Sequence, residues 1–228
     1  MDSLSFATFY NLTDIRYLEL EVLNLRGGSF RIASPLEVVF RNVGTTIMEA
    51  LRRAVLPDLT NLTITSVENI TDRLVDFLEG SREGRIQTLS LIDIDSIAWF
   101  QVLRRVPNVK TLELGLTPTD SEPNPFTELI DAPAVHKGDT ILVPRLSELR
   151  LAGDVLMGIE RVVDFLRVRN IERKVAVTQK IDNVETLVLP TGYFTRIPEP
   201  IAWELGKLVV ALAGTALNRL VEPRLGRD

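Results

Sequence analysis

The sequence predicts an α/β solenoid, and three observations lead there. A short aliphatic phrase recurs along the chain, the segments between copies carry a helical apolar period, and the copies lie close together. A strand followed by a helix, repeated at short intervals, builds a parallel sheet. Units that cannot bury their apolar face alone stack so that one continuous core covers all of them. The expected form is a curved parallel sheet with helices on its convex side and a C-terminal capping helix.

The phrase reads aliphatic-x-x-aliphatic-x-aliphatic. Its copies are Ile15-Arg-Tyr-Leu18-Glu-Leu20, Leu59-Thr-Asn-Leu62-Thr-Ile64, Ile86-Gln-Thr-Leu89-Ser-Leu91, Val109-Lys-Thr-Leu112-Glu-Leu114, Leu146-Ser-Glu-Leu149-Arg-Leu151 and Val184-Glu-Thr-Leu187-Val-Leu189. Leu56-Pro57, Val106-Pro107 and Val143-Pro144 each stand just before a copy. The fourth phrase position falls at 18, 62, 89, 112, 149 and 187, in steps of 44, 27, 23, 37 and 38. Two steps lie within the leucine-rich-repeat range of about 20–29 residues. The first step is two units long, and Leu36-Glu37-Val38-Val39-Phe40 alternates near its middle and supplies the missing strand. The fourth step holds a loop-rich insertion, 115–142, marked by Pro118, Pro123, Pro125 and Pro133. The competing fold is a doubly wound α/β domain, which needs apolar strands but no fixed phrase.

Between phrases the period changes to helical. Ile47, Ala50, Leu51 and Ala54 follow i, i+3, i+4, i+7, as do Trp99, Val102, Leu103 and Val106, and Ile159, Val162, Val163 and Leu166. Ile70, Leu74, Phe77 and Leu78 make a further stripe, closed by Gly80 and Gly84. The chain therefore reads as one leucine-rich-repeat domain over 1–228, with irregular N-terminal units in 1–55, regular ones in 56–190 and a helical cap at 199–221. In that cap Leu205, Leu208, Val209, Leu212 and Ala216 form the stripe. Its apolar run, Leu208–Ala213, is far below the roughly 18–20 residues of a membrane span.

Composition narrows the chemistry. With no cysteine, thiolate metal sites, disulfides and cysteine nucleophiles are excluded. With one histidine, His136, a multi-histidine metal centre is excluded as well. A net charge of −5 argues against nucleic acid. Met1–Tyr10 has no positive n-region and does not read as a secretory signal. The expectation is a cytoplasmic or nuclear, non-enzymatic protein without cofactor or metal.

From Leu59 to Leu151 the phrases, the helix Asp72-Arg-Leu-Val-Asp-Phe-Leu-Glu79, the segment Val102-Leu-Arg-Arg-Val-Pro107 and the Pro-rich insertion come in an order that resembles the leucine-rich-repeat region of F-box proteins expanded in mushroom-forming fungi. The likeness covers about 45–190. It implies a substrate receptor, in which an F-box docks on the adaptor of a cullin-type ubiquitin ligase and the repeats choose the substrate. No F-box of about 40 residues fits ahead of Ile15, so the adaptor is expected as a partner only if an F-box lies upstream.

Side chains alternate along a strand, so the neighbours of the buried aliphatics line the concave face. These are Tyr17, Glu19 and Glu21, then Asn61, Thr63 and Thr65, then Thr88, Ser90 and Ile92, then Thr111 and Glu113, Glu148 and Arg150, Thr186 and Val188. Tyr17, Glu19, Asn61, Thr63, Thr88, Ser90, Thr111, Glu113, Glu148 and Arg150 are the expected contacts for a protein partner. A candidate self-association surface is Trp203, Leu208 and Leu212 on the C-terminal helix. The remaining features have plain structural readings. His136, with Asp131 or Asp139 nearby, reads as a solvated loop residue. Asp93 and Asp95 read as strand-to-helix capping residues. Arg52-Arg53 and Arg104-Arg105 read as cations favoured at helix C-termini, and the sequons at Asn11, Asn61 and Asn69 as unused.

Overall fold

The computed structural model describes residues 16–21, 36–41, 56, 58–68, 71–80, 85–95, 99–116, 142–153, 159–171, 181–190, 192–193 and 196–214. The strands are β1 (Tyr17–Glu21), β2 (Glu37–Arg41), β3 (Asn61–Glu68), β4 (Thr88–Asp95), β5 (Thr111–Leu116), β6 (Glu148–Gly153), β7 (Thr186–Leu189) and β8 (Ala211–Gly214). The helices are α1 (Thr71–Gly80), α2 (Trp99–Arg104), α3 (Ile159–Asn170) and α4 (Glu199–Leu208). All eight strands form one parallel sheet in strictly sequential order. A doubly wound sheet reverses its strand order at a switch point, where its ligands bind. Among these strands the order never reverses.

The register explains the phrase. Its fourth position runs in one line across the sheet: Leu18, Val38, Leu62, Leu89, Leu112, Leu149, Leu187 and Leu212. The sixth position forms a second line through Phe40, Ile64, Leu91, Leu114 and Leu151. These side chains are buried, apart from a partly exposed Leu212, and share one core with Leu74, Phe77 and Leu78 of α1, Val102 and Leu103 of α2, and Ile159, Val162, Val163 and Leu166 of α3. The expected strand near residue 38 is β2. The Ile47–Ala54 stripe lies outside the described residues.

The first phrase position closes a turn. Leu59, Val109 and Leu146 donate their N–H to the carbonyls of Leu56, Val106 and Val143, three residues back, at 3.2, 3.2 and 3.0 Å. Proline suits the second place of such a turn because its φ is pre-set. Val143 has φ 41°, in the left-handed region that β-branched residues rarely enter. Ile181–Val184 lacks the proline, and Val184 N–H instead donates to Asn170 Oδ1 at 3.0 Å.

The C-terminal segment differs from expectation. Helix α4 ends at Leu208, and β8 follows and pairs with β7, so the cap expected over 199–221 is a short helix plus a strand as far as Gly214. The reason is local competition. Short apolar runs such as Leu208–Ala213 fit a buried strand as well as a helix. The edge of β7 offers unpaired backbone groups, and Glu185 O takes the N–H of both Val210 and Ala211. Asn170 Nδ2 holds Leu208 O at 2.7 Å, fixing where the helix stops. Leu208 is buried, and Leu212 sits on the core line of β8. Of the three expected association residues only Trp203 stands outward.

Candidate functional site

With the core on one side, the other side of the sheet is the natural place for recognition. Two rows run across it. One is Tyr17, Glu37, Asn61, Thr88, Thr111, Glu148, Thr186 and Ala211. The other is Glu19, Val39, Thr63, Ser90, Glu113, Arg150 and Val188. The register thus brings all ten expected contact residues onto one face. Tyr17, Glu19 and Arg150 are exposed; Asn61, Thr63, Thr88, Thr111, Glu113 and Glu148 are half-buried.

Ser90 is the exception. It is only 2% exposed and donates its hydroxyl proton to Glu113 Oε2 at 2.7 Å. Strands lie about 4.8 Å apart, so a short side chain between longer neighbours is easily covered. Ser90 therefore orients Glu113 and is not itself offered to a partner. Val39 is buried in the same row.

The face has three zones. At β1–β2, Tyr17 Oη donates to Glu19 Oε2 at 2.6 Å and Arg41 Nε to Glu19 Oε1 at 2.7 Å. These two donors hold the Glu19 carboxyl below its usual range, the Tyr17 bond first and the Arg41 bond second. The same hydrogen bond raises the Tyr17 phenol above its ordinary value, because ionising it would lose the donated proton beside a carboxylate. The centre, Asn61, Thr63, Thr88 and Thr111, is neutral and rich in hydroxyls. At β5–β6, Glu113, Glu148 and Arg150 restore charge, with Arg150 Nε donating to Glu148 Oε1 at 2.7 Å and Thr111 Oγ1 at 3.5 Å from Glu148 Oε2. Thr65 Oγ1 is buried without a hydrogen-bond partner.

Glu37 and Arg41 join this face beyond the expected contacts; the alternation of Glu37-Val-Val-Phe-Arg41 carries the signal. Sequence reasoning missed Arg169 and Asn170 at the end of α3. Arg169 is buried, with Nη2 facing the carbonyl oxygens of Val143, Pro144 and Leu146 at 2.9, 3.1 and 3.3 Å, and Nε facing Asp182 O at 3.2 Å. Its guanidinium lies 5.9 Å from the Phe165 ring centre.

The other candidates divide simply. Arg105 pairs with Glu79, tying the end of α2 to α1, while Arg104 is exposed. Asp93 and Asp95 lie within β4, and Asn61 of its sequon within β3. His136, Asp131, Asp139, Arg52, Arg53, Asn11 and Asn69 lie outside the described residues. Among the described residues no group of three metal-ligating side chains occurs, and no helix is long and apolar enough to cross a membrane. Comparison with family models, curated proteins and solved structures finds no match.

Proposed function

We propose that this chain is a leucine-rich-repeat solenoid acting as a non-enzymatic recognition scaffold, with the open face of its sheet as the concave surface that receives an extended protein segment. The observation that carries the reading is the sequential eight-stranded parallel sheet, one face sealed by core and the other lined by two rows that are polar apart from Val39, Val188 and Ala211. Extended faces of this kind are where stacked-unit proteins bind partners. A neutral hydroxyl centre between charged ends favours a peptide backbone with charged side chains at both ends. The resemblance to fungal F-box proteins extends the proposal to a substrate receptor for ubiquitin ligation.

The test is proximity labelling from the natural gene product, run beside a variant carrying Thr63→Lys and Thr88→Lys. These half-buried threonines sit at the centre of the face, and lysine can extend into solvent from either. The expected result is a partner set lost in the variant, with thermal unfolding shifted little. A partner set that survives both changes would sink the assignment of this face. Recovery of partners without a ligase adaptor would remove the ubiquitin role and leave the scaffold.

A second reading, assembly through α4 and the residues that follow it, is favoured by Trp203 on the helix at 66% exposure and Val210 just after it at 81%. Lys207 Nζ lies 3.0 Å from the Trp203 ring centre.

A further inference from the structure

Along the edge where the strands begin, the sheet carries an open groove of about 500 Å³. Its floor is backbone that is already satisfied. The carbonyls of Leu36, Thr60, Gln87 and Lys110 each accept two N–H groups, one from the residue before the next strand and one from that strand's first residue. A ligand therefore has no free ladder to join, and recognition falls to the side chains above.

Those side chains are ordered by charge. Three residues ahead of β3, β4, β5 and β6 stand Asp58, Arg85, Asn108 and Arg145 in turn, all lining the groove. At about 4.8 Å per strand, Arg85 and Arg145 start about 10 Å apart, with Asn108 and the exposed Lys110 between them. Among the described lining residues, carboxylates stand only at Asp58 and Asp182. Asp58 Oδ1 is 2.5 Å from Arg85 Nη1, and Asp182 Oδ2 is 3.8 Å from Arg145 Nη1. Among the described residues no carboxylate pairs with Lys110. The groove thus has a cationic centre bracketed by acids, on a chain whose net charge is −5. Each guanidinium has five N–H donors in a planar fork, so one carboxylate orients an arginine and leaves donors for a ligand. Guanidinium forks and a lysine point charge are the groups that recognise carboxylate and phosphoryl oxygens.

We propose that this groove is an anion-binding site, separate from the open face, that seats a compact oxyanion, phosphoryl or carboxylate, at Lys110, with Arg85 and Arg145 flanking it. Asn108 stands beside it. The two aspartates hold the arginines in place and exclude a second anion at either end. The groove's extension as far as Leu36, 42% exposed, leaves room for the chain that carries the anion.

The experiment titrates the ¹⁵N-labelled full chain with inorganic phosphate and, separately, with acetate, following the amides of Thr60, Gln87, Asn108 and Lys110. Saturable shifts centred on these amides are expected, with affinity falling about tenfold in Lys110→Gln at unchanged thermal stability. Phosphate alone saturating the site assigns a phosphoryl ligand; comparable saturation by acetate assigns a carboxylate. Lys110 stands before β5 and outside both rows of the open face, so Lys110→Gln leaves partner labelling at that face unchanged, and failure of the open-face reading and failure of this one are distinguishable. Shifts that do not saturate, that spread equally to Arg104 and Arg150, or that persist unaltered in Lys110→Gln overturn the proposal.

Discussion

Replacing Arg169 by methionine tests how the C-terminal part of the sheet is held. The aliphatic stem is largely conserved in volume, so the change mainly removes the guanidinium. Four carbonyls lose a donor: those of Val143, Pro144, Leu146 and Asp182. Two of them keep a backbone partner, since Val143 O also accepts Leu146 N–H and Pro144 O accepts Asp182 N–H. The loss is concentrated on the buried carbonyl of Leu146 and the part-buried one of Asp182, at about 1–3 kcal/mol for a buried group left unsatisfied and less where water can reach it. Removing a buried cation returns part of this, because its desolvation penalty disappears. The net expectation is about 3 kcal/mol of destabilisation. For a chain of this size that corresponds to a fall of about 6–12 °C in Tm. Arg169→Lys should fall between, since an ammonium retains charge but cannot span four carbonyls with a planar fork. Urea unfolding with an unchanged m-value is the assay. A methionine variant within about 0.5 kcal/mol of the parent would refute the argument that this side chain staples the Val143–Leu146 turn to α3.

Asn170→Ala removes the bonds to Val184 N–H, Val184 O and Leu208 O; hydrogen exchange should show lost protection at Val210 and Ala211 before the rest of the sheet opens. Leu89→Ala deletes a fully buried side chain from the central core line and should destabilise by about 2–5 kcal/mol, readable in the same urea experiment. Glu19 has a lowered folded-state pKa, so its contribution to stability is present above the ordinary glutamate value and is lost as pH falls through the lowered one. Side-chain NMR titration should show Glu19 protonating at lower pH than an unperturbed glutamate, with Tyr17→Phe moving it upward; an unmoved titration would sever the Tyr17 assignment. Light scattering on the intact chain and on Trp203→Glu should show an oligomer reduced to monomer if α4 mediates assembly, and a monomer in both would dismiss that reading.

The strands were legible because the phrase encodes their burial. Leu62, Leu89, Leu112, Leu149 and Leu187 occupy the same phrase position and the same line in the sheet, so their spacing alone locates β3 to β7. The eighth strand carried the same signal in weaker form. Val209-Val-Ala-Leu212-Ala-Gly214 matches the phrase except that glycine replaces its last aliphatic, and Leu212 follows Leu187 by 25 residues. Glycine hid the phrase, and the helical stripe running in from Leu205 made the opposite reading attractive. The membership of the open face was equally legible, since alternation sets it. The burial of Ser90 and Val39 was not, because it depends on neighbours contributed by other strands.

By itself the sequence determined where the core-facing aliphatics stand, which residues share the opposite face, and which chemistries the lack of cysteine and the single histidine exclude. Local periodicity and residue type are enough for those, since each is a property of a short segment. Only the tertiary structure decided that α4 yields to β8, that Arg169 and Asn170 serve carbonyls 13–38 residues away, and that Arg85, Lys110 and Arg145 gather between Asp58 and Asp182 along one edge. Each of these depends on which backbone groups and charges meet across strands. That meeting is set by the register between strands, which no single segment contains.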